Sequence, residues 1–209
     1  EVDFKEEADV YVINTCTVTN TGDSKSRQMI RKAIRKNPAA TICVVGCYSQ
    51  VAPQDIEAID GVSIILGTQF RDEIVDLVEQ FQKTHERIVK VSEVKQLRKF
   101  EDLNIDRFLH TRAYLKIQDG CNNFCTYCII PYARGRVRSR KPESVIEQAK
   151  DLVAKGYVEI VLTGIHTAGY GEDLEDYSFY DLLVDLVKIE GLKRLRISSI
   201  ETSQITDRK

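Results

Sequence analysis

Gln118 to Arg140 reads QDGCNNFCTYCIIPYARGRVRSR, with Cys121, Cys125 and Cys128 in Cys-x-x-x-Cys-x-x-Cys spacing. Three thiolates on so short a loop can face one point, and they supply one ligand fewer than a cubane iron-sulfur cluster has irons. A structural zinc site closes with four ligands, and no nearby histidine or fourth cysteine follows Cys128. A zinc knuckle, a disulfide pair with a spare thiol and a plain cysteine-containing turn stand as alternatives. The spacing favours a cluster with one iron left open.

Outward from the loop, the strand YLKIQ from Tyr114 delivers it. A helix from Pro142 to Ala154, a strand from Glu159 to Thr163, a helix from Tyr180 to Ile189 and a strand from Arg194 to Ser198 follow. Strand-helix units in this order begin a partial β/α barrel, whose site lies at the carboxyl ends of its strands. A barrel stopped after its third strand would be open. The second strand ends in LTGIHTAGYG, Leu162 to Gly171, where Gly164 lets backbone approach a ligand closely. An ordinary turn is the alternative, and His166 is as readily a turn residue as a substrate contact. Ser198 and Ser199 end the third strand and can hydrogen-bond a ribose or carboxylate. Arg134, Arg136, Arg138, Arg140 and Lys141 form a basic run after the cysteines. It reads either as phosphate recognition or as a solvated loop with scattered ion pairs.

Upstream, Asp9 to Thr15 is a β-branched run that reads as a buried parallel strand ending at Cys16. Thr21, Asp23 or Ser24 can cap the next helix, with Met29, Ile30, Ala33 and Ile34 on its apolar face and Asn37-Pro38 at its end. The other face is basic, with Lys25, Arg27, Arg31, Lys32, Arg35 and Lys36. TICVVG, Thr41 to Gly46, is a second buried strand ending at Cys47. Pro53 opens a short helix through Ile59, Val62 to Leu66 is a third strand, and Arg71 to His85 is an amphipathic helix. The alternation predicts an open parallel sheet covered on both faces, a Rossmann- or flavodoxin-like α/β domain. Cys16 and Cys47 close successive strands and should be neighbours at the ligand-binding edge. Cys43 falls in mid-strand and reads as a small core residue. The predicted division is an N-terminal domain over 1–86, a linker over 87–110, and the first part of the barrel over 111–209; the linker contains a β-rich piece, RIVKVSEV, and a charged stretch around Lys95 to Asp106 that reads as linker or edge hairpin.

The chain has 209 residues, 43% of them hydrophobic, enough for one large or two small globular domains. A formal charge of -2 gives no global attraction to nucleic acid, so such binding needs local patches. No apolar run is long enough to span a bilayer. Six cysteines without a secretory segment point to a reducing cytoplasm and metal ligation. Without an initiator methionine, the chain reads as a piece of a longer protein.

The cysteine triad with Tyr127 just before its last member resembles the signature of radical S-adenosylmethionine enzymes. NTCTV at Asn14–Val18 and GCYSQ at Gly46–Gln50 resemble the amino-terminal domain of the methylthiotransferases in that superfamily. The resemblance implies a [4Fe-4S] cluster on Cys121, Cys125 and Cys128 whose open iron takes S-adenosyl-L-methionine. Tyr127 would lie near the adenine, and the turn at Gly164 would receive the amino group. It implies a second, auxiliary [4Fe-4S] cluster on three cysteines, of which Cys16 and Cys47 are present and the first would precede this chain. CIIPYARGRVRSR and LTGIHTAGYG closely resemble the branch acting on N6-threonylcarbamoyladenosine beside the tRNA anticodon. The isopentenyladenosine branch typically carries Gly-Gln-Asn where Gly164-Ile165-His166 stand, and the branch modifying a ribosomal protein differs around Pro131. Implied partners are tRNA, through Arg134, Arg136, Arg138 and Arg140, and an electron donor such as flavodoxin or ferredoxin. An electron-transfer module and a zinc-bound RNA-binding module remain readings of another class.

Overall fold

TICVVG forms β2 (Thr41–Gly46), all six residues buried, in the computed structural model, which describes residues 2–102, 111–198 and 200. Successive side chains of a strand point to opposite faces, and β2 feeds two cores. Ile42 and Val44 join Tyr11, Ile13, Ile30, Ala33, Ile56 and Ile65 on one face. Cys43 and Val45 join Ile64, Leu66, Leu77 and Val78 on the other. The chain divides into two units. One holds the chain up to Leu97 together with Cys125–Arg134, and the other holds Arg98–Phe124 together with the chain from Gly135 onward.

The first unit runs β1 (Val10–Thr15), α1 (Asn20–Lys36), β2, α2 (Cys47–Val51), α3 (Pro53–Glu57), β3 (Ile64–Leu66), α4 (Ile74–Thr84) and β4 (Ile88–Lys90). The sheet order is β1-β2-β3-β4, every pair parallel. This is the covered parallel sheet that the apolar runs predict. Several details differ. α1 is capped by Thr19, whose hydroxyl accepts from the Gly22 N–H at 3.0 Å, rather than by Thr21, Asp23 or Ser24, which lie inside the helix. Met29 is exposed, and Ser26 takes the inward position one turn before Ile30. α2 begins directly at the end of β2, and the helix from Pro53 stops at Glu57. β4, expected within a linker, pairs with β3 and completes the sheet; the first unit therefore extends to Leu97 rather than to residue 86.

The second unit holds β5 (Ala113–Lys116), β6 (Gln118–Asp119), β7 (Arg138–Ser139), α6 (Pro142–Ala154), β8 (Glu159–Thr163), α7 (Phe179–Val187) and β9 (Arg194–Ile197). β5, β8 and β9 form a parallel sheet in that order. β6 and β7 form a separate antiparallel ribbon. Pro at the first turn starts α6, and a Ser178–Asp181 capping box starts α7. Leu115, Val145, Ala149, Leu152, Ile160, Leu162, Phe179, Leu182 and Leu186 pack as one core. Apart from Ala149, each of these buried side chains contributes about 1.5–3 kcal/mol through its removal from water.

Candidate functional site

Parallel order sets the carboxyl ends of β5, β8 and β9 along one edge of the second unit. The cysteine loop leaves from this edge through the β6/β7 ribbon. Gly120 turns the chain at φ 76, and a Cβ there would overlap the Arg136 carbonyl oxygen. Only glycine combines that dihedral with that approach. The Cys121 N–H donates to the Gly135 carbonyl at 3.0 Å. Asn122 accepts from the Val137 N–H at 3.2 Å through Oδ1 and donates to Glu172 Oε2 at 2.8 Å through Nδ2.

The Cys121 Sγ accepts the Asn123 N–H at 3.5 Å. Phe124 takes a left-handed φ of 46 beneath the Arg136 guanidinium. In the first unit, the Cys128 N–H donates to the Cys125 carbonyl at 2.9 Å, and α5 (Ile130–Arg134) follows. Thr68 Oγ1 donates to the Ala133 carbonyl at 3.4 Å. Tyr127 is 90% exposed. Cys125 is exposed, Cys121 and Cys128 are half-buried, and all three are free thiols. The donors suit iron-sulfur ligation in kind. Among the described residues no three His, Cys, Asp or Glu side chains are gathered closely enough to hold a metal ion.

At the end of β8, Gly164 makes its close approach to protein rather than to open space. A Cβ there would lie 2.9 Å from Gln118 Oε1. Gln118, fully buried, accepts the His166 N–H at 2.9 Å and donates to the carbonyls of Asp119 and Gly120 at 2.9 and 2.7 Å. One side chain thus ties the turn after β8 to the root of the cysteine loop. At the end of β9, Ser198 Oγ lies 2.9 Å from Thr167 Oγ1; Ser199 lies outside the described residues.

The basic run is divided. Arg136 is exposed and Arg134 half-buried, whereas Arg138 is 4% and Arg140 2% exposed. The expectation that Arg138 and Arg140 present phosphate contacts is corrected: the ribbon turns both inward onto carboxylates. Arg138 lies 3.9 Å from Asp119, which also accepts from Lys116 at 2.6 Å. Arg140 pairs with Asp102 at 2.6 Å and donates to Gln148 and Ser144.

In the first unit, parallel register aligns Thr15 with Gly46, so Cys16 and Cys47 follow adjacent strand ends. Cys16 is exposed and Cys47 is buried at the start of α2. Tyr48, next in the chain, is buried; its hydroxyl accepts from Arg27 Nη1 at 2.7 Å and donates to Asp55 Oδ2 at 3.0 Å. Cys43 is a core residue, and burial pushes its thiol up to about 12.

Residues 1–67 match the model of an uncharacterized protein family, UPF0004, and residues 115–207 match that of the Radical SAM superfamily. The threonylcarbamoyladenosine tRNA methylthiotransferase MtaB of Bacillus subtilis (strain 168) is 60% identical over 98% of this chain and 46% of its own length. That of Aquifex aeolicus (strain VF5) is 44% identical over 98% of this chain and 50% of its own length. Along nearly its whole length the chain is thus similar to radical S-adenosylmethionine methylthiotransferases. It spans about half the length of these curated methylthiotransferases. The tRNA-2-methylthio-N(6)-dimethylallyladenosine synthase of Carboxydothermus hydrogenoformans is 39% identical over 96% of this chain and 47% of its own length. In fold, the chain resembles the radical S-adenosylmethionine methyltransferase TsrM from Kitasatospora setae. The TM-score is 0.56 at 14% identity, over 88% of this chain and 41% of that one.

Sequence reasoning missed Gln118, Asn122 and Glu172. Their one signal was position: Gln118 closes a strand before a Gly-Cys turn, and Asn122 sits between the first two cysteines.

Proposed function

We propose that this chain is the catalytic part of a tRNA methylthiotransferase that modifies carbon 2 of N6-threonylcarbamoyladenosine beside the anticodon. The observation that carries the reading is 60% identity along 98% of the chain to a relative named for that activity. The dimethylallyladenosine enzymes are less similar, at 39% for the one above. Cys121, Cys125 and Cys128 would hold a [4Fe-4S] cluster with an open iron. With S-adenosyl-L-methionine bound, such a cluster supplies the electron that breaks a carbon-sulfur bond and yields a carbon radical.

The protein's own residues prepare the place. Gly120 and Asn122 fix where the loop begins, Gln118 holds the turn at Gly164 against it, and Tyr127 lies exposed for an adenine ring to cover. The Thr167–Ser198 hydroxyl pair offers hydrogen bonds to the ribose or carboxylate of the cofactor. Cys16 and Cys47 would supply ligands to the auxiliary cluster. The tRNA would be held through exposed cations such as Arg136, a flavodoxin or ferredoxin would deliver electrons, and the enzyme would work in the cytoplasm.

In the full-length enzyme, Cys125→Ala is expected to abolish 5′-deoxyadenosine formation. It should also remove the electron paramagnetic resonance signal that shifts when S-adenosyl-L-methionine is added. Unchanged 5′-deoxyadenosine formation by the variant would overturn the radical assignment.

A further inference from the structure

Away from the cysteine loop, the first unit has a groove of about 320 Å³ between α1 and the turn from α3 to β3. It is lined by Arg31, Ile34, Arg35, Ala58, Ile59 and Asp60. Arg31 and Arg35 stand one helical turn apart, so their side chains reach the same space. Both are exposed, and neither has a hydrogen bond, ion pair or ring contact among the described residues. Three other cations of α1 are committed, Arg27 to the Tyr48 hydroxyl, Lys36 to the Phe4 carbonyl and Lys32 to the Phe4 ring, and Lys25 does not line the groove. Two unpaired guanidinium groups over an apolar floor form a local anion seat in a chain whose net charge is -2. Asp60 on the opposite lip limits what fits. It opposes a second negative charge, so a phosphodiester, with one charge, is favoured over a phosphate monoester, with nearly two at neutral pH.

We propose that this groove seats a backbone phosphodiester of the RNA substrate, with Arg31 and Arg35 as its two forks and Ile34, Ala58 and Ile59 under the adjoining ribose. The inference rests on the tRNA reading above and adds a contact far in sequence from the cysteine loop.

The test is binding of a full-length tRNA transcript to the full-length enzyme across a salt series. The double variant R31A/R35A is expected to lose about tenfold in affinity at 0.1 M salt and to flatten the salt slope by about 1. R31K/R35K should keep the slope, because the charges remain. D60N should bind tRNA about twofold to threefold more tightly and steepen the slope. S-adenosyl-L-methionine cleavage without tRNA serves as the control and should not change in any of the three. Wild-type affinity and slope in R31A/R35A would overturn the groove assignment while leaving the proposed function in place. Binding of inorganic phosphate at millimolar concentration, present in the wild type and lost in R31A/R35A but without effect on tRNA affinity, would overturn the RNA assignment in favour of a free-phosphate site. Failure of the wild-type enzyme to convert any tRNA would instead remove the proposed function.

Discussion

Truncating Arg140 would take one donor from Gln148 and the cation from Asp102, inside a unit that has closed around the guanidinium. Asp102 keeps part of its surface in water, so Arg140→Ala is expected to cost about 2 kcal/mol, below the roughly 3–5 of a fully buried pair. A lower urea midpoint at unchanged slope would register it. Lysine should not restore the loss, because an ammonium cannot span Asp102, Ser144 and Gln148 as a planar fork does. The burial of Arg138 and Arg140 was not legible in the sequence, which lists charges but not what faces them. The spacing of the three cysteines was legible because it is local, whereas their gathering round one point was not. Gln118 was not, because its partners at residues 164 and 166 meet it only after β5 and β8 pair.

Among the elements, those with strong ends were readable. β2, α6 and β8 fall where their flanking Gly, Pro and β-branched runs put them. α2 was hidden, since a five-residue helix starting straight from a strand has no side-chain cap to announce it. β4 was legible only in part: RIVKVSEV reads as β-rich, but three residues with the middle one exposed do not say which sheet they join, and pairing with β3 settles it. α1 offers a measurable case. Thr19→Ala removes the hydroxyl that accepts from Gly22, and the expected cost is about 1 kcal/mol, seen as a lower melting temperature. Substitution of Thr21, inside the helix, should leave melting nearly unchanged.

For the whole molecule, two tyrosines of the second unit make its stability sensitive to alkali. Burial pushes the Tyr170 hydroxyl well above the ordinary phenol range, and it donates to the Arg140 carbonyl at 2.8 Å. Burial and the hydrogen bond to Asp185 raise Tyr177 in the same direction. The folded state then holds its phenolic protons where the unfolded chain has released them. Stability is therefore full below about pH 10 and falls as pH rises beyond it, by up to about 1.4 kcal/mol per unit for Tyr170. Denaturant midpoints measured between pH 9 and 11 should decline, and Tyr170→Phe should flatten the decline. An unchanged slope in that variant would assign the alkaline loss elsewhere. The division into a layered sheet and the beginning of a barrel was legible from the order of apolar runs. The position of the boundary was not, because a β-rich RIVKVSEV does not announce which of the two sheets it joins.

The ribbon of β6 and β7 has a consequence in polymer terms. Its backbone pairing already ties together the ends of the segment that carries the cysteines, so the fold itself meets the entropy of closing that ring. Because closure entropy grows only logarithmically, about 0.6 kcal/mol for each doubling of length, the ring can change in size at little cost to stability. Its length is thus open to variation for the sake of what it encircles, provided that Gly120 and the two pairs at its neck are kept.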